Sequence, residues 1–395
     1  MSTVDFMEFP CCIPYCDRCH PFFLEKSHRH ITRTFHPIGH GAFYTEVYKS
    51  KNGVVNVVYD CGTQHRINKD NKAIVKAAFD KDSTIDILFI SHYHSDHVKL
   101  IGELKSNFMI KMVIMPYLSD IEKIFIYSCL NGYKSEILSS ILLSPQLYFG
   151  EETKLITVTP SEPNIVSNMF QEIPPNSLDE LRTGDSLISG ASYTLSALKE
   201  WEYIPFYPSI PQDDLNTFKS EVENAFGDTC ANLIKNVALI KDKKTISIMR
   251  ELYESIKSNI NLTSLLLFSG PINKDARYSC SIVSMGAYKC IIEKLGCIYT
   301  GDSTLSQELF DKAFGNNVSS RISIQQVPHH GSAKNSKGYQ HVPGVIYFAS
   351  VPNMKNQTHP ADTLIVDIQR QGGILHLVTQ KTQTKLVQMM CYWSY

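Results

Sequence analysis

The sequence lacks an excess of charge of either sign: 38 Lys and Arg stand against 39 Asp and Glu over 395 residues, a formal net charge of −1 with a pI near 6.9. That balance excludes a broadly basic surface built to coat DNA or an anionic membrane, while leaving room for a local basic groove. No apolar run approaches the roughly 20 residues that cross a bilayer. The opening MSTVDFMEFPCC has neither the basic start nor the long apolar core of a signal peptide. Internal repeats, low-complexity tracts, a G-x-S-x-G elbow and a P-loop glycine pattern are all missing. Cysteine is present, but its 11 copies are odd in number and unevenly spaced, which fits reduced thiols rather than a disulfide framework. The expectation is a soluble cytoplasmic protein without a membrane segment.

With 43% hydrophobic residues the chain can bury a real core. Its length leaves one large domain with insertions, or two domains, open. Residues 1–30 form a Cys/His-rich segment: Cys11, Cys12, Cys16 and Cys19 are followed by His20, His28 and His30. Such spacing suits either a structural zinc or ordinary thiols. From residue 31 the text is β-rich, with ITRTFHPIG and FYTEVYKS ahead of an Asn52-Gly53 hairpin turn and the return strand VVNVVYD. A short helix within 70–82 and a buried strand, STIDILFI, follow and indicate a layered α/β fold.

Residues 117–260 read as an embedded mixed region. IEKIFIYSCL and SEILSSILL are helical, and Pro-rich loops follow. Asp213-Asp214 caps a helix with Leu215, Phe218, Val222 and Phe226 on one face, and another helix runs through Ile248, Leu252, Ile256 and Ile260. Strand text resumes at 262–269, 297–302, 322–328, 344–352 and 373–380, with a helix begun by Pro360 before the last of these.

The sharpest chemical signal is Ser91-His92-Tyr93-His94-Ser95-Asp96-His97, directly after a strand that reads as buried. A strand end fixes the backbone, and the loop after it can turn several imidazoles and a carboxylate toward one point. Those are ligands for zinc, manganese or iron. Thr300-Gly301-Asp302 and Val327-Pro328-His329-His330-Gly331-Ser332 each follow further strands.

These motifs resemble the signature of the metallo-β-lactamase superfamily, and the PHHGS form resembles the branch containing the metallo-β-lactamase domain of the competence protein ComEC. The likeness runs over roughly residues 33–110 and 260–390, through IGHGAF, VVYDCGT, Ser264-Leu265 and Thr358-His359-Pro360. It implies an α/β fold, the metallo-β-lactamase αββα sandwich, over 31–390 with a large mixed or helical insertion at about 117–260. It implies two divalent metal ions, zinc first and manganese as the alternative. His92 and His94 would serve one ion and Asp96 and His97 the other, with Asp302 bridging and His329 or His330 closing the site. Asp96, Asp302 and His359 would be catalytic.

The sequence departs from the family in one respect. Many members place another histidine between the H-x-H-x-D-H loop and TGD, and here none occurs from 98 to 328. Asp185 is a candidate replacement whose plainer reading is a turn aspartate. Asp60 could orient a ligand imidazole from behind, and His40, between two glycines, reads as structural. Ser332 could offer its hydroxyl or N–H to a phosphate. The implied activity is hydrolysis by a metal-activated water, with a phosphodiester, most naturally a nucleic acid, as substrate. Lys99, Lys105, Lys334, Lys337 and Lys355 could line a cationic groove. A small thioester, lactone or lactam is the alternative substrate, and a metal-binding partner-recognition subunit with an impaired centre is the reading from another class. The insertion would be the surface for a protein partner.

Overall fold

The alternating text after residue 31 becomes an antiparallel ladder in the computed structural model, which describes residues 28–51, 53–130, 136–161, 176–255, 263–272, 277–284, 287–291, 294–315, 318–336, 338–339, 341–353 and 359–393. Strands β1 (His28–Phe35), β2 (Phe43–Ser50) and β3 (Gly53–Cys61) pair in succession. The cysteines at 11, 12, 16 and 19, with His20, lie outside the described residues, as do Asn52, Lys337, Lys355 and Thr358. Cys61, Cys129, Cys230 and Cys297 are free thiols, in line with the spacing argument.

The apolar run after residue 83 is not one strand. It divides into β4 (Thr84–Ile85) and β5 (Ile87–Phe89). Asp86 causes the break: its N–H donates to the Asn56 carbonyl at 2.8 Å and its carboxylate accepts the Asn56 N–H at 2.8 Å. β4 therefore pairs away from the main sheet with β6 (Met109–Ile110), while β5 lies between β3 and β7 (Met112–Pro116). β8 (Lys154–Val158) and β9 (Ser186–Leu187) extend that sheet.

The chain then supplies β10 (Tyr193–Leu195), β11 (Leu198–Phe206), β12 (Leu266–Pro271), β13 (Arg277–Ser284), β14 (Ala287–Ile291) and β15 (Gly296–Tyr299). It finishes with β16 (Ile322–Gln326), β17 (Ile346–Ser350), β18 (Ile374–Val378) and β19 (Leu386–Trp393). One sheet runs β14-β13-β19-β1-β2-β3-β5-β7-β8-β9, and the other runs β10-β11-β12-β15-β16-β17-β18.

Period-two alternation in the second sheet explains the layering. Leu267, Cys297, Tyr299, Ile324 and Phe348 join the core shared with the first sheet. Their neighbours Leu266, Phe268, Ile298 and Tyr347 turn the other way, onto Phe310 and Phe314 of the helix Gln307–Phe314 and Leu364 and Ile368 of the helix Asp362–Arg370. On the first sheet, Val75, Ile101 and Leu104 bring the helices Lys69–Lys76 and Ile101–Asn107 into the core. The result is helix, sheet, sheet, helix. Between the sheets lies an aromatic layer, with Phe35 on Phe348 at 3.9 Å and Tyr59 stacked on Tyr299 at 4.6 Å between ring centroids.

Some local expectations shift. The helix Gln212–Phe226 is capped by Pro211, so Asp213 and Asp214 sit in its first turn rather than at its cap, where their charge still suits the helix dipole. The helix Lys243–Ser255 buries Ile246 and Met249, with Ile248 half-buried, and Ile256 and Ile260 lie outside the described residues. Pro360 precedes the helix capped by Ala361. The stretch after residue 150, read as Pro-rich loops, contributes β8 and β9 to one sheet and β10 and β11 to the other. No helix among the described residues is long and apolar enough to cross a membrane.

A buried ion pair locks the sheets together away from the metal-type residues. Arg33 Nε donates to Glu46 Oε1 at 2.6 Å, and the guanidinium also reaches Gln388 Oε1 and the carbonyls of Leu295 (3.1 Å) and Ser269 (3.3 Å). Glu46 accepts from Ser269 Oγ (2.7 Å), Tyr299 OH (2.8 Å) and Tyr48 OH. Both charges are buried and richly hydrogen-bonded, so removal of one leaves the other uncompensated. Glu46→Ala should lower unfolding free energy by about 3–5 kcal/mol, read by urea denaturation; a loss below about 1 kcal/mol, the scale of an exposed pair, contradicts this.

Candidate metal centre

The carboxyl ends of β3, β5, β15 and β16 open onto one rim, and each delivers part of the cluster. β3 carries Asp60 as its penultimate residue, β5 runs into Ser91–His97, β15 into Thr300–Asp302, and β16 into Val327–His330. The two sheets are stitched there by the Leu265 N–H donating to the Ser91 carbonyl at 2.8 Å and the Tyr59 hydroxyl donating to the Leu265 carbonyl at 2.6 Å. Gly301 has φ +53, and a Cβ there would meet Ser264 Cβ at 2.8 Å and Ser91 Cβ at 3.0 Å, so this turn requires glycine.

Asp302 is buried at the centre. Its Oδ2 lies 3.4 Å from His92 Nε2, 3.6 Å from His329 Nε2 and 3.9 Å from His94 Nδ1, and its Oδ1 lies 3.2 Å from His97 Nε2. On the far side, Asp96 Oδ2 is 3.1 Å from His330 Nε2, 3.6 Å from His40 Nε2 and 4.0 Å from His97 Nε2. The ligand atoms of His92, His97 and Asp302 lie within 4.8 Å of one another, and so do those of His40, Asp96 and His330. Ligands about 2.0–2.1 Å from a tetrahedral zinc stand roughly 3.3 Å apart. The observed separations are close to that edge.

The outer poles of the imidazoles are held from behind. Asp60 Oδ2 is 2.7 Å from His97 Nδ1, while its two oxygens accept from Ser91 N–H (2.7 Å) and Ser91 Oγ (2.6 Å). His330 Nδ1 donates to the Ser350 carbonyl at 2.7 Å, and His329 Nδ1 pairs with Asn335 Oδ1 at 2.9 Å. Asn335 in turn donates to the Asp302 carbonyl, and Ser264 Oγ accepts the Asp302 N–H at 3.0 Å while lying 3.2 Å from His92 Nδ1. Asp60, His329 and His330 all adopt positive φ (56°, 46° and 56°). Such left-handed conformations cost roughly 1–3 kcal/mol each and gather at functional sites.

Charge follows this geometry. Burial opposes ionisation of Asp302, but His92 and His97 outweigh it and hold the carboxyl well below its usual range. Asp96 is held low in the same way by His97 and by its hydrogen bond to His330. Burial also opposes the charge on His97, yet Asp302, Asp60 and Asp96 together raise its pKa. Burial, reinforced by His92, lowers His94 to about 4, and burial with His330 lowers His40 to about 4, so both imidazoles are neutral near pH 7.

His92 Nε2, His94 Nδ1, His97 Nε2 and Asp302 Oδ1 are buried without hydrogen-bond partners. Left unsatisfied, such an atom costs about 1–3 kcal/mol, and these four converge as the donors a cation would engage. Imidazole and carboxylate donors fit zinc or manganese.

Every metal-type residue expected from the motifs is thus brought together, including both His329 and His330, which face Asp302 and Asp96 respectively. His359 stands at the rim, its ring 6.0 Å from His329 and 6.4 Å from His40. Asp185 does not join: its carboxylate accepts the Arg182 N–H at 2.7 Å in its own turn. Lys99 and Lys105 donate to the carbonyls of His65 (2.8 Å) and Tyr148. His40 and Asn335 were not expected at the centre. Their only signals were a histidine between two glycines and an asparagine six residues beyond His329.

Residues 50–173 match the model of the metallo-beta-lactamase superfamily. No curated protein matches the chain. Among solved structures, the short form of human tRNase Z aligns at 10% identity over 88% of this chain and 92% of that one, with a TM-score of 0.31. The layered α/β architecture is consistent with the metallo-β-lactamase fold.

Because Asp60 fixes His97, Asp60→Asn should weaken divalent-ion binding about 10–100-fold with the fold intact by circular dichroism. Calorimetric titration with Zn²⁺ measures it, and unchanged affinity contradicts the orienting role.

Proposed function

We propose that this protein is a hydrolase dependent on two divalent metal ions, zinc or manganese, and that it cleaves phosphodiester bonds, most naturally in a nucleic acid. The observation that carries the metal-dependent reading is the convergence of the four unbonded, buried ligand atoms of His92, His94, His97 and Asp302. His92, His94, His329 and Asp302 would hold one ion, and Asp96, His97, His330 and Asp302 the other. When bound, such ions acidify water and neutralise charge on a phosphoryl or acyl oxygen.

The chain's own groups do the rest. Asp302 turns Oδ2 toward His92, His94 and His329 and Oδ1 toward His97, so it would be available to both ions. Asp60 and the Ser350 carbonyl keep the outer nitrogens of His97 and His330 engaged, so that Nε2 of each points inward. His94 is neutral at pH 7 and able to donate its lone pair. His329 occupies the side of Asp302 that the absent histidine of residues 98–328 would have served. His359, at the rim, is placed to give a proton to the departing oxygen or to touch a phosphate.

The phosphodiester choice is supported by the TGD and PHHGS motifs and their likeness to the ComEC-type domain. A second reading is a small thioester, lactone or lactam substrate: beside His92 and His94 the wall is apolar, formed by Pro116, Leu118, Ile126 and Leu130. We read residues 31–390 as a single domain with an insertion at about 117–260, so that this wall ties the insertion to substrate choice.

Protein loaded with Mn²⁺ or Zn²⁺ should hydrolyse DNA, RNA or a bis-nitrophenyl phosphate probe, and Asp302→Ala should lower the rate by at least about 100-fold, the scale of losing one key electrostatic group. Turnover of thioesters or lactams alone would favour the second reading. Stoichiometric metal with no turnover of any of these would contradict both.

A further inference from the structure

We infer that His40 is itself a metal ligand, completing with Asp96 and His330 the side of the centre opposite His92 and His94. The inference rests on the metal-dependent reading above and adds to it a residue outside the H-x-H-x-D-H, TGD and PHHGS motifs.

Two observations carry it. His40 Nε2 lies 3.6 Å from Asp96 Oδ2, and the ligand atoms of His40, Asp96 and His330 are all within 4.8 Å of one another. The His40 and His330 rings stand 4.2 Å apart between centroids and are tilted by 56°. Two imidazoles thus address one carboxylate oxygen from different directions, as ligands of a shared ion do.

The second observation is that the loop carrying His40 is fastened to the backbone of Asp96 itself. The Ala42 N–H donates to the Asp96 carbonyl at 2.9 Å, the Gly62 N–H to the Ala42 carbonyl at 2.8 Å, and the Gln64 N–H to the His40 carbonyl at 2.8 Å. Gly41 has φ +155, and a Cβ there would meet the Gly62 carbonyl oxygen at 2.5 Å and the Asp96 carbonyl oxygen at 3.0 Å. Only glycine permits so close an approach. A loop built merely to turn a corner needs no such attachment to a ligand residue. Attachment to Asp96 fixes the distance between the two side chains, which is what a coordination site requires.

The test measures metal in the full-length protein. Wild type, His40→Ala and His40→Gln are titrated with Zn²⁺ by calorimetry, and the visible spectrum of each is recorded with Co²⁺. Wild type should take up two ions. His40→Ala should keep one site at wild-type affinity and bind at the other more than about tenfold more weakly, at least the lower end of the 10–100-fold cost of losing an outer-shell partner. Its Co²⁺ spectrum should change, and added imidazole should restore the second ion. His40→Gln, which preserves the polar volume of the loop, should show the same weakening, separating ligand loss from misfolding. Two sites of unchanged affinity and an unchanged Co²⁺ spectrum in both variants overturn the assignment, even if turnover falls, and leave the two-ion reading standing. A wild type that binds no ion overturns both.

Discussion

The carboxylate of Asp302 is the point on which the two sheets converge. It rises from the end of β15 in one sheet and meets His92, His94 and His97 from the loop after β5 in the other. His329, from the end of β16, reaches the same Oδ2. No single strand or loop could assemble this set. It needs two parallel-stranded regions whose carboxyl ends open on one rim, the place where α/β sheets generally bind ligands. The layering of helices outside and aromatic rings between serves to hold those ends at fixed separation.

The centre combines features that are unfavourable singly. Asp60, His329 and His330 have left-handed backbones, four ligand-type atoms are buried without hydrogen bonds, and like charges crowd together. Such a cluster persists only where its surroundings over-determine it. Here they do: Asp60 is tied to Ser91 and His97, His330 to the Ser350 carbonyl, His329 to Asn335, and Asn335 back to Asp302. Elsewhere between the sheets, the Arg33–Glu46 pair fixes their relative position with a fully bonded ionic network. Rigidity at that pair and at the rim makes the spacing of the ligands a property of the fold rather than of flexible loops.

The metal-type residues were legible because their chemistry is local: three imidazoles and a carboxylate within six residues after an apolar strand have few other uses. Asp302, His329 and His330 were legible for the same reason, as motifs at strand ends. His40 was not, because a histidine between glycines looks like a turn, and its meaning depends on Gly41 closing against Asp96, a contact between distant segments. β11 was hidden by Pro205. That proline lies beyond Tyr203, the last residue paired with β10, so it interrupts no ladder on that side. The split at Asp86 was equally non-local, since it depends on a reciprocal pair of bonds with Asn56. The αββα layering itself was read from the motifs rather than from periodicity, and the alternation of Leu266 to Phe268 and Cys297 to Tyr299 supplies its physical basis.

The central claim is that two divalent ions sit on opposite sides of Asp302. The most direct measurement is anomalous diffraction from crystals grown with Mn²⁺ or Zn²⁺. Two peaks are predicted, one among His92, His94, His329 and Asp302 Oδ2, the other among Asp96, His97, His330 and Asp302 Oδ1. A cluster without anomalous density at saturating metal, or a single peak that Asp302 does not touch, would contradict the account.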